Sequence, residues 1–283
     1  MNRNIYRSDQ GRELIEKYYT DILSCYKDYP YEELYIDTDI AKTHVLKFGD
    51  SIKPPLFMFH GSTSNSATWL GSILYFINDF TIYCVDIPGE PGLSEPVRCE
   101  LNTDEPLKWI ESLLDNMKIG KAFLLGMSLG SWYAMNFTIN RPDKVHALSM
   151  ITAGGFAPMK KSFIFKVLFA SILGDNGKKV MNNAIYYKTA VPDEVIAFQS
   201  LVAAHFNPLM EPLPIFTDEQ ISNISVPLQF FGGDHDSLID SVRTAKRIKT
   251  YYPSADVHIL EDTGHVILDQ FENIFSFFKK TII

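Results

Sequence analysis

Residues 122–139 read AFLLGMSLGSWYAMNFTI. Four apolar residues, Ala122–Leu125, run without a polar break into Gly126-Met127-Ser128-Leu129-Gly130, and from Leu129 to Ile139 the pattern turns helical. Uninterrupted apolar runs of this length are strands covered on both faces, as in a parallel sheet. A reactive serine at a strand-to-helix corner needs a strained backbone, and small residues two positions to either side let the turn close. The segment predicts strand, sharp turn and helix in succession, with Ser128 as a candidate nucleophile.

The flanking sequence repeats the pattern. Leu56–Phe59, Ile82–Val85, Ala147–Ile151 and Leu228–Phe231 are further short apolar runs, and helical patterns at Thr68–Ile77, Glu105–Met117 and Leu238–Tyr251 lie between most of them. Such alternation predicts βαβ units and a parallel sheet. A strand at Val257–Leu260 and a helix at Val266–Lys280 close the chain. Upstream, Glu33–Thr38 and Thr43–Phe48 read as strands, and residues 9–27 as an amphipathic helix with Leu14, Tyr18, Ile22 and Cys25 on its apolar face. Residues 159–222 break the alternation with several helical stretches and no strand, punctuated by prolines. The expected organisation is a core of residues 1–158 and 223–283 with a helical lid of residues 159–222 inserted.

Composition bounds the possibilities. A chain of 283 residues fits one large α/β domain with an insertion, and 46% hydrophobic against 21% charged residues excludes global disorder. With 26 Lys+Arg against 34 Asp+Glu the net charge is −8, which argues against nucleic acid or an anionic membrane as partner. Cys25, Cys84 and Cys99 are too few and scattered for a disulfide framework or a zinc site, and read as small buried hydrophobes in a reducing compartment. The opening MNRNIYRSDQGRELIEK lacks the apolar core of a signal peptide, and no run reaches the ~18–20 apolar residues of a membrane span, so a cytoplasmic location is expected.

A serine hydroxyl needs a base. Of seven histidines, His265 stands in Asp262-Thr263-Gly264-His265, the loop after the last strand, where catalytic groups gather in open α/β sheets. The base needs an orienting carboxylate. Gly232-Gly233-Asp234-His235-Asp236-Ser237 offers two, and Asp236, just before the apolar start of the next helix, is preferred to Asp234. Oxyanion donors are expected from the backbone N–H of Leu129 and of Ser62, the latter in His60-Gly61-Ser62-Thr63, where His60 reads as a structural histidine.

Taken in order, HGST, DIPGEPGLS, GMSLG, GGDHDSL and TGH resemble the motifs of the α/β-hydrolase superfamily over about residues 33–283. The resemblance implies an eight-stranded, mostly parallel sheet with helices on both faces, the chain order Ser128, Asp236, His265, and a helical lid at 159–222. Within the superfamily the chain looks most like the small carboxylesterase branch, which implies ester hydrolysis through an acyl-enzyme with neither metal nor organic cofactor. C–C bond, thioester and perhydrolase chemistry on the same residues, or slow turnover by a ligand sensor that signals through a partner, are the alternatives. The sequence leaves monomer or homodimer open. One motif departs from the family: Asp86-Ile87-Pro88-Gly89-Glu90-Pro91-Gly92-Leu93-Ser94 is one residue longer than the usual Asp-x-x-Gly-x-Gly-x-Ser, and of two placements for Glu90, facing the site or at the surface, the surface is the one expected. The lid's aromatic and methionine residues, among them Phe163, Phe165, Phe169, Phe198, Phe206, Met159 and Met210, are expected to divide between packing and an apolar pocket for short to medium acyl chains.

Overall fold

The computed structural model describes residues 5–160, 162–163 and 175–282, so Phe165 and Phe169 lie outside the described residues. Among the described residues eight strands form one sheet: β1 (Tyr31–Ile36), β2 (Thr43–Phe48), β3 (Pro55–Phe59), β4 (Thr81–Val85), β5 (Ala122–Met127), β6 (Val145–Ile151), β7 (Leu228–Gly233) and β8 (Asp256–Leu260). Their order is β1-β2-β4-β3-β5-β6-β7-β8. Only β2 runs antiparallel to its neighbours β1 and β4; every other pairing is parallel. The helices are α1 (Asp9–Cys25), α2 (Ile73–Phe76), α3 (Glu105–Asn116), α4 (Leu129–Asn140), α5 (Asp175–Tyr186), α6 (Asp193–His205), α7 (Asp218–Ser222), α8 (Ser241–Tyr251) and α9 (Phe271–Lys279).

The continuous apolar runs are explained by the two layers covering the sheet. Phe57, Phe59 and Leu124 join Trp109, Leu113, Trp132, Phe137 and Ile248 of α3, α4 and α8. The alternate residues Leu56, Met58, Phe123 and Leu125 join Tyr19 of α1, Trp69, Phe76 of α2, and Phe271, Ile274 and Phe278 of α9. Burying each large side chain contributes about 1.5–3 kcal/mol, so both faces of every central strand favour the same register.

Several elements differ from their sequence reading. Gly11, Ile15, Tyr19 and Leu23 form the buried face of α1, while Leu14 is 42% exposed and Cys25 is exposed. Partners set that face: Ile15 packs with Phe198 and Phe206 near α6, the Tyr19 hydroxyl donates to Asp86 Oδ1 at 3.3 Å, and a Cβ on Gly11 would stand 2.8 Å from His205 Cβ. Cys84 and Cys99 are buried as expected. β1 begins at Tyr31 because all six of its residues pair with β2, from Tyr31 opposite Phe48 to Ile36 opposite Thr43. The helix read over 68–77 divides into a 3₁₀ turn, Ser66–Ser72, capped by the Asn65 side chain, and the short α2. The chain after Lys160 supplies α5, α6 and α7 between β6 and β7. Its last part packs into the core: Phe216 stacks on Trp132, and its N–H donates to Gly155 O at 2.8 Å. Phe163, Phe198 and Phe206 are buried, whereas Met210 is 80% exposed and Met159 half exposed.

Candidate active site

Ser128 occupies the corner between β5 and α4 with φ 51° and ψ −109°, a left-handed backbone that L-residues seldom adopt. Its N–H donates to Ile151 O at 2.8 Å, which ties the corner to the end of β6. Both flanking glycines are required by space. A Cβ on Gly126 would lie 2.5 Å from Ser131 Cα, and one on Gly130 would lie 2.0 Å from Phe59 O, backbone atoms that cannot rotate away. The turn therefore closes with the serine side chain presented at the carboxyl ends of β3, β5 and β6.

Asp236 follows β7 and is 1% exposed. Its Oδ1 accepts the N–H groups of Leu238 at 2.8 Å and Ile239 at 3.0 Å, so α8 begins at Ser241 and not at Leu238. Oδ2 accepts the Ser241 hydroxyl at 3.2 Å and lies 2.8 Å from His265 Nδ1. Burial alone would raise the Asp236 pKa, but the adjoining His265 ring and the two backbone N–H groups outweigh it and hold the carboxyl below its ordinary value. The other ring nitrogen of His265, Nε2, lies 3.1 Å from Ser128 Oγ. An ionised Asp236 only accepts, so Nδ1 carries the proton and Nε2 is left to accept from the serine hydroxyl.

Asp234 is brought to the same loops for another purpose. It accepts from His235 Nδ1 at 2.7 Å and from Thr263 N–H at 3.1 Å, contacts that hold its pKa down at about 2. Asp234 N–H donates to Leu260 O, and His235 N–H donates to Thr263 O at 2.9 Å. A Cβ on Gly233 would stand 2.2 Å from Thr263 O, so backbone meets backbone between the two loops. The interval between β6 and β7 contributes as well. Tyr187 donates to Asp262 Oδ1 at 3.0 Å and stacks on His235, and Lys160 Nζ donates to Asp236 O at 2.7 Å. None of these contacts was legible in the sequence, because each joins residues far apart along the chain, the two hydrogen bonds across 75 and 76 positions. The helix read from Val266 begins only at Phe271; Val266 O instead accepts the Thr189 hydroxyl at 2.9 Å.

The loop after β3 reaches the serine from the other side. A Cβ on Gly61 would make ordinary contact with Ser128 Cβ at 3.6 Å. His60 is buried and holds this loop: Nδ1–H donates to Gly61 O at 2.8 Å, and Nε2 accepts Ile87 N–H at 3.0 Å. Burial pushes its pKa down, as suits a neutral ring. Leu129 is the first residue of α4, where N–H groups lack partners within the helix and favour an anion.

Glu90 corrects the surface reading made above: it is 3% exposed. Its carboxylate Oε2 accepts Thr63 N–H at 2.6 Å and the Ser62 hydroxyl at 3.4 Å. The longer loop turns inward through tight local bonds. Glu90 N–H donates to Ile87 O, Gly92 N–H donates to Glu90 O at 2.8 Å, and Leu93 N–H donates to Asp86 Oδ2 at 2.9 Å. Burial pushes the Glu90 pKa up to about 7, against the pull of Thr63 N–H, Arg98 and Ser62. Asp86, the anchor of the loop, stays at about 2 despite complete burial, because His44 Nδ1 lies 2.8 Å away. The extra residue was the one available signal that this loop is built differently.

A cavity of about 250 Å³ lies beside Thr63, lined by Gln199, Val202, Ala203, Phe206 and Pro208, with Arg7 among its lining residues. Among the described residues no group of three or more His, Cys, Asp or Glu side chains is arranged to hold a metal ion, and no helix is long and apolar enough to cross a membrane.

A family model described as the alpha/beta hydrolase family matches residues 56–274. Similar proteins include an uncharacterized carboxylesterase of Bacillus subtilis (strain 168), 26% identical over 245 residues that cover 83% of this chain and 81% of that protein. Carboxylesterase YbfK of the same organism is 24% identical over 83% of this chain and 82% of its own. The crystal structure of naproxen esterase from Bacillus subtilis superposes with a TM-score of 0.82 at 25% identity, covering 97% of this chain and 98% of that one.

Proposed function

The chain belongs to the alpha/beta hydrolase family, and on that premise we propose that it is a carboxylesterase working through Ser128, His265 and Asp236. The observation that supports this most directly is the hydrogen-bonded line from Ser128 Oγ through the His265 ring to Asp236. In this reading Ser128 Oγ attacks the ester carbonyl while His265 Nε2 takes its proton. The buried Asp236 carboxylate orients the imidazole and stabilises the imidazolium. The N–H groups of Leu129 and Ser62 meet the oxyanion, each contributing about 2.7–4 kcal/mol to the barrier reduction. His265 then protonates the leaving alcohol, and water, activated by the same ring, releases the acyl group. Carboxylesterase relatives of similar length favour the ester over other acyl substrates.

The inserted segment, residues 159–222, acts as the lid in this reading, and its many aromatic and methionine side chains favour neutral acyl groups of short to medium length. The test is a p-nitrophenyl ester series run on wild type and Ser128→Ala beside aminoacyl anilides. Wild type should turn over the esters, with kcat/KM rising along the acyl series and then levelling. Ser128→Ala should stay folded and lose ~10⁴–10⁶ in rate. A fluorophosphonate should label Ser128 and no other serine. Equal turnover by Ser128→Ala, or faster cleavage of the anilides, would overturn the reading.

A further inference from the structure

Burying a carboxylate opposes folding unless its contacts repay desolvation, so the contacts of Glu90 indicate what it is for. Two of them are to one short stretch: Thr63 N–H at 2.6 Å and the Ser62 hydroxyl at 3.4 Å. The first of these is at the short, strong end of the range for an N–H donor. It acts on a backbone that needs holding, because Thr63 has φ 58°, an uncommon conformation for a β-branched residue. From the opposite side Gln199 of α6 donates to Thr63 O at 3.0 Å. Thr63 is thus held at both its N–H and its carbonyl, Glu90 also reaches the Ser62 hydroxyl, and Gly61 on the other flank lies against Ser128.

We propose that Glu90 is a positioning residue of the oxyanion hole: its carboxylate holds Ser62–Thr63 so that the Ser62 N–H is aimed at the oxygen of the tetrahedral intermediate. The proposal rests on the esterase reading above. It does not put Glu90 in contact with substrate; the side chain acts through the loop. A donor that is preorganised stabilises developing charge without reorganising at the moment of reaction, and that is lost when the loop is released. The loss should therefore fall on kcat and not on KM.

The experiment compares wild type, Glu90→Ala, Glu90→Gln and Ser128→Ala on one p-nitrophenyl ester at a temperature where all four are folded. Glu90→Ala should lose about 10–100-fold in kcat with KM within about threefold. It should bind a trifluoromethyl ketone, which forms an oxyanion on Ser128, more weakly by a similar factor. Glu90→Gln keeps an acceptor oxygen for Thr63 N–H and should recover kcat to within about fivefold of wild type. If Glu90→Ala does not fold, Glu90→Asp takes its place, since the shortened side chain keeps the charge but withdraws from Thr63; it should show the same kcat loss. Wild-type kcat in the alanine or aspartate variant, a change confined to KM, or no recovery in Glu90→Gln would overturn the positioning role. Those results leave the esterase reading standing as long as wild type turns over and Ser128→Ala does not; failure of that last comparison sinks the reading itself, whatever Glu90 does.

Discussion

Asp234 and Asp236 stand two residues apart on one loop and meet opposite surroundings. Asp236 is buried, takes two backbone N–H groups and the Ser241 hydroxyl, and faces His265 Nδ1. Asp234 is partly open to solvent and ties His235 and Thr263. Asp236→Asn should accordingly lower kcat by up to ~10⁴, since the amide can no longer orient the imidazole and stabilise its charge. Asp234→Asn should stay within about tenfold of wild type, because it loosens only the loop that bears His265. Steady-state kinetics of the two variants decide the matter, and a reversed ranking would reassign the carboxylate. Sequence context pointed to Asp236 through the apolar residues that follow it; the burial that makes it effective comes from α8 and the His265 loop.

At the scale of elements, the corner of β5 and α4 was the most legible part of the chain. A strand-type run, a glycine-flanked serine and a helical run are all local signals. What local signals do not contain is distance: Gly130 exists because α4 crosses β3 with no room for a methyl group, 2.0 Å from Phe59 O. Gly130→Ala should destabilise the fold by about 3 kcal/mol or more, read from urea unfolding. Gly120→Ala, where an added Cβ meets nothing within 4 Å, should change stability by no more than about 0.5 kcal/mol. Equal stabilities would show that α4 can shift away from the sheet. The face of α1 teaches the converse. Two sets of residues share helical spacing, and Ile15, Tyr19 and Leu23 are inward because α6, Asp86 and the core receive them.

Across the whole molecule, the sheet gathers Ser128, Asp236 and His265 from three separate strand ends, with 137 positions between the serine and the histidine. The same gathering buries Glu90 against Ser62 and Thr63, with the charge of Arg98 within reach. Its folded pKa, about 7, lies above the ordinary 4.5, so the native state holds the proton more tightly. The stability this contributes is complete below pH 4.5 and is lost as pH rises through about 7. At 1.36 kcal/mol per unit, about 3 kcal/mol is involved. Glu90→Gln lacks the titration, so its unfolding free energy relative to wild type should climb by up to about 3 kcal/mol from pH 5 to pH 8. A difference that stays level would mean that Glu90 does not titrate there. Local sequence sufficed for the alternation of strands and helices, the turn that presents Ser128 and the order in which Asp236 and His265 follow. These depend on periodicity and turn residues within a few positions of one another. Contacts between distant segments settle which face of α1 is covered, where α8 and α9 begin, and that Glu90 lies against the Ser62–Thr63 loop. A loop has no period to aim its side chains, and burial is a property of whatever distant segments close over it.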